Sequence, residues 1–409
     1  MEVKDYPRLR RLEAVQVKQQ GREMIALRDP QGYFKNLVLI PPVFFYIASL
    51  CDGNRSIRDL QAAYVRRFGD IITSDQLGAM LAEFDDKLLL DSPKFHALKT
   101  NLDAEYLRLP NRPMSCAGSA YAGDPRQLMQ QISEMIAEAG KPGDSGPLPL
   151  AIIAPHIDLE RGRECYGKMY SLLANCRRPQ APLVVILGTC HGEMEGAFAL
   201  TGKNYLTPFG MVQTDVGLAQ GLAQAAGLDG LGDEVSHRSE HSIEVHLPML
   251  CVIFGGADRF NLLPINCNSF HSFIQAGCSP AEDPEVSSFI SALKGLISAM
   301  GENVFLIASG DLSHVGSRFG GSLPLDPVRL TSVIAKDKEM LKAAEAGDPE
   351  GFYAYIASEN DQRNICGLPP IYALGKALEC EGRLIAHSHW YDRQEASAVT
   401  FAGLTFAGI

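Results

Sequence analysis

Short apolar runs that end in small residues recur along the second part of the chain. LAIIAPH, LVVILGTCH and NVFLIASGDLSH each finish on a histidine, and NLLPINC finishes on a cysteine. Runs of this length, bounded by turn residues and separated by stretches of helical periodicity, predict buried strands. The pattern predicts an α/β domain with a central sheet flanked by helices. One of these helices spans 128–136, and the Gly- and Pro-rich stretch 140–149 predicts a loop.

The first hundred residues have a different pattern. Apolar residues on both sides of Asp29-Pro30-Gln31-Gly32 predict a β-hairpin over 22–40. Apolar positions at helical spacing predict one helix from Ser56 to Gly69 and a second from Ser74, and LLLD at 88–91 predicts a short strand. Together these elements predict a small winged-helix-like α+β domain over 1–100.

The stretch 92–112 has little periodicity and is predicted to link the two parts. The second domain is assigned to 106–409, with regular elements from about Met114. A chain of 409 residues with 46% hydrophobic and 21% charged residues can fill the cores of two or three domains.

The net charge of −11 is unevenly distributed: residues 1–100 have a balance of +2, and the remainder has −13. An acidic body argues against nucleic acid as a partner, because backbone binding requires cationic side chains. The most apolar run, 36–50, is interrupted by Pro41 and Pro42 and is too short to span a membrane. The first residues lack a secretory signal, and the ten cysteines form no CxxC pair. We therefore expect a cytoplasmic protein with free thiols.

Residues suited to catalysis or metal binding lie at the carboxyl ends of the predicted strands. They are His156, His191, Asp311 and His314. Ligands bind beyond these ends in open α/β sheets, and clustered His, Asp and Cys indicate a metal or catalytic site. Asp311 and His314 are three residues apart, so a helical turn would place both on one face. Asp311 could then orient His314 as a general acid or base, or it could instead cap the following segment.

The segment EHSIEVHLP at 240–248 is also rich in metal-binding residue types. Its two histidines are five apart, so it is not the HExxH zinc motif. Glu240 and His241 are predicted to line the pocket, and Glu240 and Glu244 could share a helix face. The alternative is a helix whose polar side is turned to the pocket or to solvent.

Seven short blocks are spread in order from about Met114 to the end of the sequence: AGSAY, APH, ILGTCH, EHSIEVHLP, SGDLSH, NICGLPPI and FAGLTF. By these blocks the chain resembles the Memo family, which is similar in fold to the class III extradiol dioxygenases. Three positions depart from the family pattern: Cys116 replaces a histidine, Ala120 replaces a tryptophan, and His191 stands in place of a histidine pair.

The resemblance implies that His156, His191 and Cys366 bind a metal and that Asp311 and His314 line the same pocket. Gly367 and the following prolines predict a turn before a helix near Ile371, whose dipole would stabilise a Cys366 thiolate. A thiolate ligand shifts the preference toward copper(I), zinc or iron, and a redox role makes iron or copper the expected cofactor rather than zinc.

These residues give three hypotheses. The first is a non-haem, metal-dependent redox enzyme, dioxygenase-like, with an unknown small-molecule or peptide substrate. The second is an accessory protein of the AmmeMemoRadiSam type with a radical SAM partner. In that case the N-terminal domain, which resembles peptide-binding PqqD domains, would dock a peptide; its near-zero charge argues against DNA. The third is a zinc hydrolase.

Overall fold

A computed structural model describes residues 6–34, 36–140, 146–321 and 324–407. The chain divides into two compact units, Met1–Arg108 and Leu109–Ile409. None of the helices in the described part combines the length and apolar character that crossing a bilayer requires. All ten cysteines lie in this part and are free thiols, as the sequence predicted.

The first unit combines a three-stranded antiparallel sheet with helices. The sheet order is β1-β2-β3. Its own core contains Leu27, Leu60, Leu77, Leu81 and Phe84. Its elements are β1 (Glu13–Gln19), β2 (Arg22–Arg28), β3 (Val38–Ile40), α1 (Pro42–Leu50), α2 (Ile57–Phe68), α3 (Ser74–Asp86) and α4 (Pro93–Arg108).

Local sequence signals account for the predicted helix pair. Ser56 and Asp59 form a capping box at the start of α2, and Gly69 ends the helix with a left-handed backbone. Thr73 and Gln76 form a second capping box before α3. The hairpin turn is also confirmed, because the amide of Gly32 donates to the carbonyl of Asp29.

Two expectations for the first unit were wrong, and one strand was not predicted. Strand β1 was missed, and β2 pairs with it as well as with β3. LLLD forms only a single bridge at Leu90, because Leu88 has a φ of 59°, which strand backbone does not adopt. The stretch 92–112 is largely helical, since α4 begins where Ser92 accepts a hydrogen bond from the amide of Phe95. The winged-helix-like arrangement stays a prediction.

The second unit is an α/β domain whose central sheet has helices packed on both faces. Its strands are β4 (Asn111–Arg112), β5 (Ala151–Ala154), β6 (Leu183–Thr189), β7 (Phe198–Leu200), β8 (Asn204–Thr207), β9 (Gly210–Thr214), β10 (Asn261–Cys267), β11 (Val304–Ser309), β12 (His314–Gly316), β13 (Gly382–Asp392) and β14 (Ser397–Phe406). Its helices are α5 (Pro125–Glu138), α6 (Arg163–Ala174), α7 (Val216–Ala226), α8 (Leu247–Phe254), α9 (His271–Ala276), α10 (Pro284–Met300), α11 (Pro327–Glu345), α12 (Pro349–Ser358) and α13 (Leu368–Leu378).

The four predicted strands form the centre of this sheet. They lie in the order β5-β11-β6-β10, and each neighbouring pair is parallel. Side chains alternate between two cores: Val185 and Leu187 of β6 face one core, and Val184 and Ile186 face the other. Both faces are therefore buried beneath helices, which explains why the strands are apolar throughout. Helix α5 confirms the prediction over 128–136. Of the predicted loop, residues 141–145 lie outside the described residues.

Because β5, β11 and β6 run parallel, their carboxyl ends meet at one edge of the sheet. His156 follows β5, Asp311 follows β11, and His191 follows β6. The strand order places Asp311 between the two histidine loops, at the edge where α/β proteins bind ligands.

Candidate metal site

His156 is the buried centre of the site. Its Nδ1 lies 3.2 Å from the carbonyl oxygen of Ser309. A carbonyl only accepts, so Nδ1 donates and Nε2 carries the lone pair. The Asp311 carboxylate accepts the amide of His156 over 3.0 Å and so ties the β5 loop to the β11 loop. Burial holds the pKa of His156 well below its usual range, and the nearby rings of His191 and His241 lower it further. A neutral imidazole is the form that binds metals.

His191 and His241 are held by one carboxylate. Oε1 of Glu240 lies 3.1 Å from Nδ1 of His191 and 3.2 Å from Nδ1 of His241. Glu240 also accepts the backbone amides of His191, His241 and Ser242. Burial raises the pKa of Glu240, but the two imidazoles outweigh it and hold the pKa well below its usual range. The ionised carboxylate therefore fixes both rings with Nε2 as the lone-pair nitrogen.

Cys366 reaches the site from a distant loop. Its Sγ lies 3.3 Å from Nε2 of His156 and 3.6 Å from the carbonyl oxygen of Asp311. Helix α13 begins at Leu368, earlier than predicted, and Gly367 donates its amide to the Asp311 carbonyl. Burial raises the pKa of the Cys366 thiol well above its usual range, and Asp311 adds to this.

The metal-binding atoms form two overlapping groups that share His156. One group is His156, His191 and His241, and the other is His156, Asp311 and Cys366; within each, the atoms lie within 4.8 Å of one another. Both His191 and Cys366 are therefore close to His156, but each belongs to a different group. Imidazole nitrogens, a carboxylate oxygen and a sulfur together suit a transition-metal ion.

Asp311 does not orient His314, contrary to the sequence-based interpretation. The turn between them is not helical, and β12 begins at His314. Nδ1 of His314 instead lies 3.1 Å from the carbonyl oxygen of Leu312 and 3.2 Å from that of Asn364. Asp311 does not cap a helix either, because its carboxylate accepts amides of the β5 loop. Burial raises the pKa of Asp311 to about 7, although those amides lower it.

The segment 240–248 is not one continuous helix. A 3-10 turn, Glu244–His246, precedes α8, and Glu244 forms a buried ion pair with Arg112 at 2.5 Å. Tyr121 also donates to Glu244 over 2.6 Å. The sequence analysis did not predict this ion pair. Its one signal in the sequence was the acidic residue Glu244, which lies in a segment that was otherwise assigned to the pocket. His246, whose Nδ1 lies 2.7 Å from the Tyr170 hydroxyl, belongs to the core.

The Memo-like protein family model matches residues 112–405. The chain belongs to the Memo-like family. A MEMO1 family protein of Aquifex aeolicus is 25% identical over 389 residues, which cover 94% of this chain and 96% of the relative. One from Methanopyrus kandleri is 28% identical and covers 66% of this chain and 88% of the relative.

A third Memo relative, from Thermus thermophilus, is 24% identical over 84% of this chain and 97% of its own length. A crystal structure of an uncharacterized Escherichia coli K12 protein is 16% identical, with a TM-score of 0.37 over 63% of this chain and 99% of that chain. That similarity is too low to inform fold or function. Of the positions that depart from the Memo pattern, Cys116 donates its amide to Glu244, and Ala120 accepts the amide of Leu159.

Proposed function

We propose that this Memo-family chain is a metal-dependent redox enzyme of the non-haem type, with an extradiol dioxygenase-like fold. His156, His191 and Cys366 would hold iron or copper. The observation that carries the proposal is the pair of ligand groups that meet at His156; within each group the metal-binding atoms lie within 4.8 Å of one another. Perturbed titratable groups that converge at a sheet edge are typical of functional sites.

The chemistry of the donors fits a cation. Nδ1 of both His156 and His191 is anchored to an oxygen acceptor, an arrangement that commonly orients metal-binding imidazoles. The Cys366 thiol has a raised pKa beside Asp311, and a bound cation would favour its thiolate form. A bound cation would therefore interact favourably with both histidines and with Cys366.

Each residue of the site has a separate task in this proposal. The cation would supply electron transfer and activation of the bound substrate. His314 accepts or donates a proton at Nε2, because its Nδ1 donates to the backbone. Asp311 holds the His156 loop in place, because its carboxylate accepts a backbone amide of that loop. The substrate would be a small molecule or a peptide.

Metal analysis of the full chain purified under reducing conditions tests the proposal, together with oxygen consumption by the loaded protein. We expect close to one iron or copper per chain, lost in His156→Ala, and oxygen uptake that depends on the metal. Stoichiometric zinc without oxygen uptake would favour the zinc hydrolase. Absence of any bound metal would contradict the proposal.

A second candidate is an accessory protein that binds a peptide or a radical SAM partner through the first unit. The observation that favours it is the exposure of Val65, Phe68 and Ile71 at and just beyond the end of α2; Ile71 is 78% exposed. Binding of a radical SAM protein to the full chain should weaken in Phe68→Ser and Ile71→Ser. It should persist in Val328→Ser, an equally exposed apolar position in the second unit.

A further inference from the structure

His241 has the same local arrangement as the two histidines already assigned to the metal. Its Nδ1 lies 3.2 Å from Oε1 of Glu240, and an ionised carboxylate only accepts. The same oxygen lies 3.1 Å from Nδ1 of His191. One buried carboxylate therefore sets both imidazoles in the tautomer whose Nε2 carries the lone pair, which is how metal-binding histidines are oriented.

The rings of the three histidines lie together. The His241 ring is stacked on that of His191 with centroids 4.7 Å apart, and it lies 5.2 Å from that of His156. The His156 and His191 rings are 5.0 Å apart. One nitrogen of each ring lies within 4.8 Å of the others, which small side-chain movements can convert to a shared coordination sphere.

We propose that His241 is a metal ligand, so that His156, His191 and His241 present a face of three imidazole nitrogens to the cation. This inference rests on the proposed function, because it concerns the same cation. It adds His241 to the set implied by the family resemblance, in which Cys366 is the third ligand. Here Cys366 approaches His156 from the other ligand group.

A face of three neutral imidazoles has chemical consequences for the site. Imidazole suits zinc, copper, iron and nickel, whereas thiolate selects the softer ions. The three nitrogens would hold a divalent cation even when the sulfur is removed. His241 has a 37% exposed side chain, against 29% for His191, so it is the ligand on the solvent side of the site. An incoming substrate would therefore meet His241 first.

The test is cobalt(II) binding to the full chain under anaerobic, reducing conditions, with cobalt(II) alone as the probe. X-ray absorption counts the imidazoles on cobalt, and competition with a chelating dye gives the Kd. We expect three imidazoles in the wild type and two in His241→Ala, with a Kd raised at least about tenfold. His389→Ala removes an exposed histidine of β13 and should retain three imidazoles and an unchanged Kd.

A second variant separates lost coordination from lost structure. In His241→Gln the amide can still donate to Glu240, but it is a poor ligand, so two imidazoles are expected with an unchanged melting temperature. Two imidazoles in the wild type, or an unchanged count and Kd in both His241 variants, would overturn the role of His241. The proposed function would survive that result, since the cation still binds. A wild type that binds no cobalt would overturn both.

Discussion

The backbones of Gly310 and Gly367 lie in direct contact, so that a methyl group built on Gly310 would overlap the Cα atom of Gly367. A methyl group on Gly367 would in turn lie 2.6 Å from the carbonyl oxygen of Asp311. This contact brings the loop of Cys366 against the end of β11. The distance between the sulfur and His156 therefore depends on two residues without side chains.

Gly310→Ala should destabilise the second unit and weaken metal binding, because backbone atoms cannot give way to the added methyl group. We expect the free energy of unfolding to fall by about 1–3 kcal/mol, the usual effect of overpacking. Gly295→Ala is the control, since its added methyl group in helix α10 meets open space. Denaturant unfolding measures both variants, and equal stabilities would show that the contact is not required.

Substitutions of His314 and Cys366 should separate proton transfer from metal binding. His314→Ala should leave the metal content nearly intact and remove turnover, because a proton carrier is lost but no ligand. Cys366→Ser should raise the Kd for the metal, because a hydroxyl is a far weaker ligand than a thiolate. Metal analysis and turnover of the two variants check this. Loss of metal from the His314 variant, with metal retained in the Cys366 variant, would reverse the assignment.

Glu240→Gln should weaken metal binding without removing any ligand. The neutral amide cannot hold Nδ1 of both His191 and His241 as the carboxylate does, so the rings lose a common orientation. Loss of such a supporting carboxylate typically costs about 10–100-fold in metal affinity. Chelator competition measures the Kd, and Glu195→Gln, at an exposed position of the loop after His191, provides the control. Identical affinities in the two variants would mean that Glu240 is dispensable.

Glu244 should make stability depend on acid pH. Burial raises its pKa, but Arg112, Tyr121 and the amide of Ser115 outweigh it and hold the pKa at about 2. Because the pKa of Glu244 is lower in the folded chain than in the unfolded chain, the ionised carboxylate contributes to the free energy of unfolding. This contribution is fully present above the usual pKa of a glutamate. It is lost as the pH falls through the range down to about 2.

Glu244→Gln should therefore lower the free energy of unfolding by on the order of 3 kcal/mol at pH 7, and by much less near pH 3. Denaturant unfolding at both pH values measures the difference. Glu193→Gln, at an exposed position, should leave the free energy of unfolding unchanged at both pH values. A loss of stability in Glu244→Gln that is the same at both pH values would instead indicate a defect in packing.

Local sequence determined the elements from which the site is assembled. The apolar runs of β5, β6, β10 and β11 predicted buried strands, because a strand that is covered on both faces carries apolar residues on both sides. In the first unit, Ser56 and Thr73 begin two helices through local contacts, since each accepts an amide within the same turn. The expectation that the histidines after these strands lie at one site followed from the rule that parallel strands end at one edge of the sheet.

Tertiary structure alone decided which of these residues lie close together. Cys366 meets His156 across 210 residues of chain, and Arg112 meets Glu244 across 132. No local periodicity carries such pairings, because they depend on how loops pack once the sheet has formed. The orientation of His241 likewise depends on a carboxylate that also holds His191, a residue 49 positions from Glu240. The sequence determined where ligands could lie, and long-range packing determined which of them lie close enough together to share a cation.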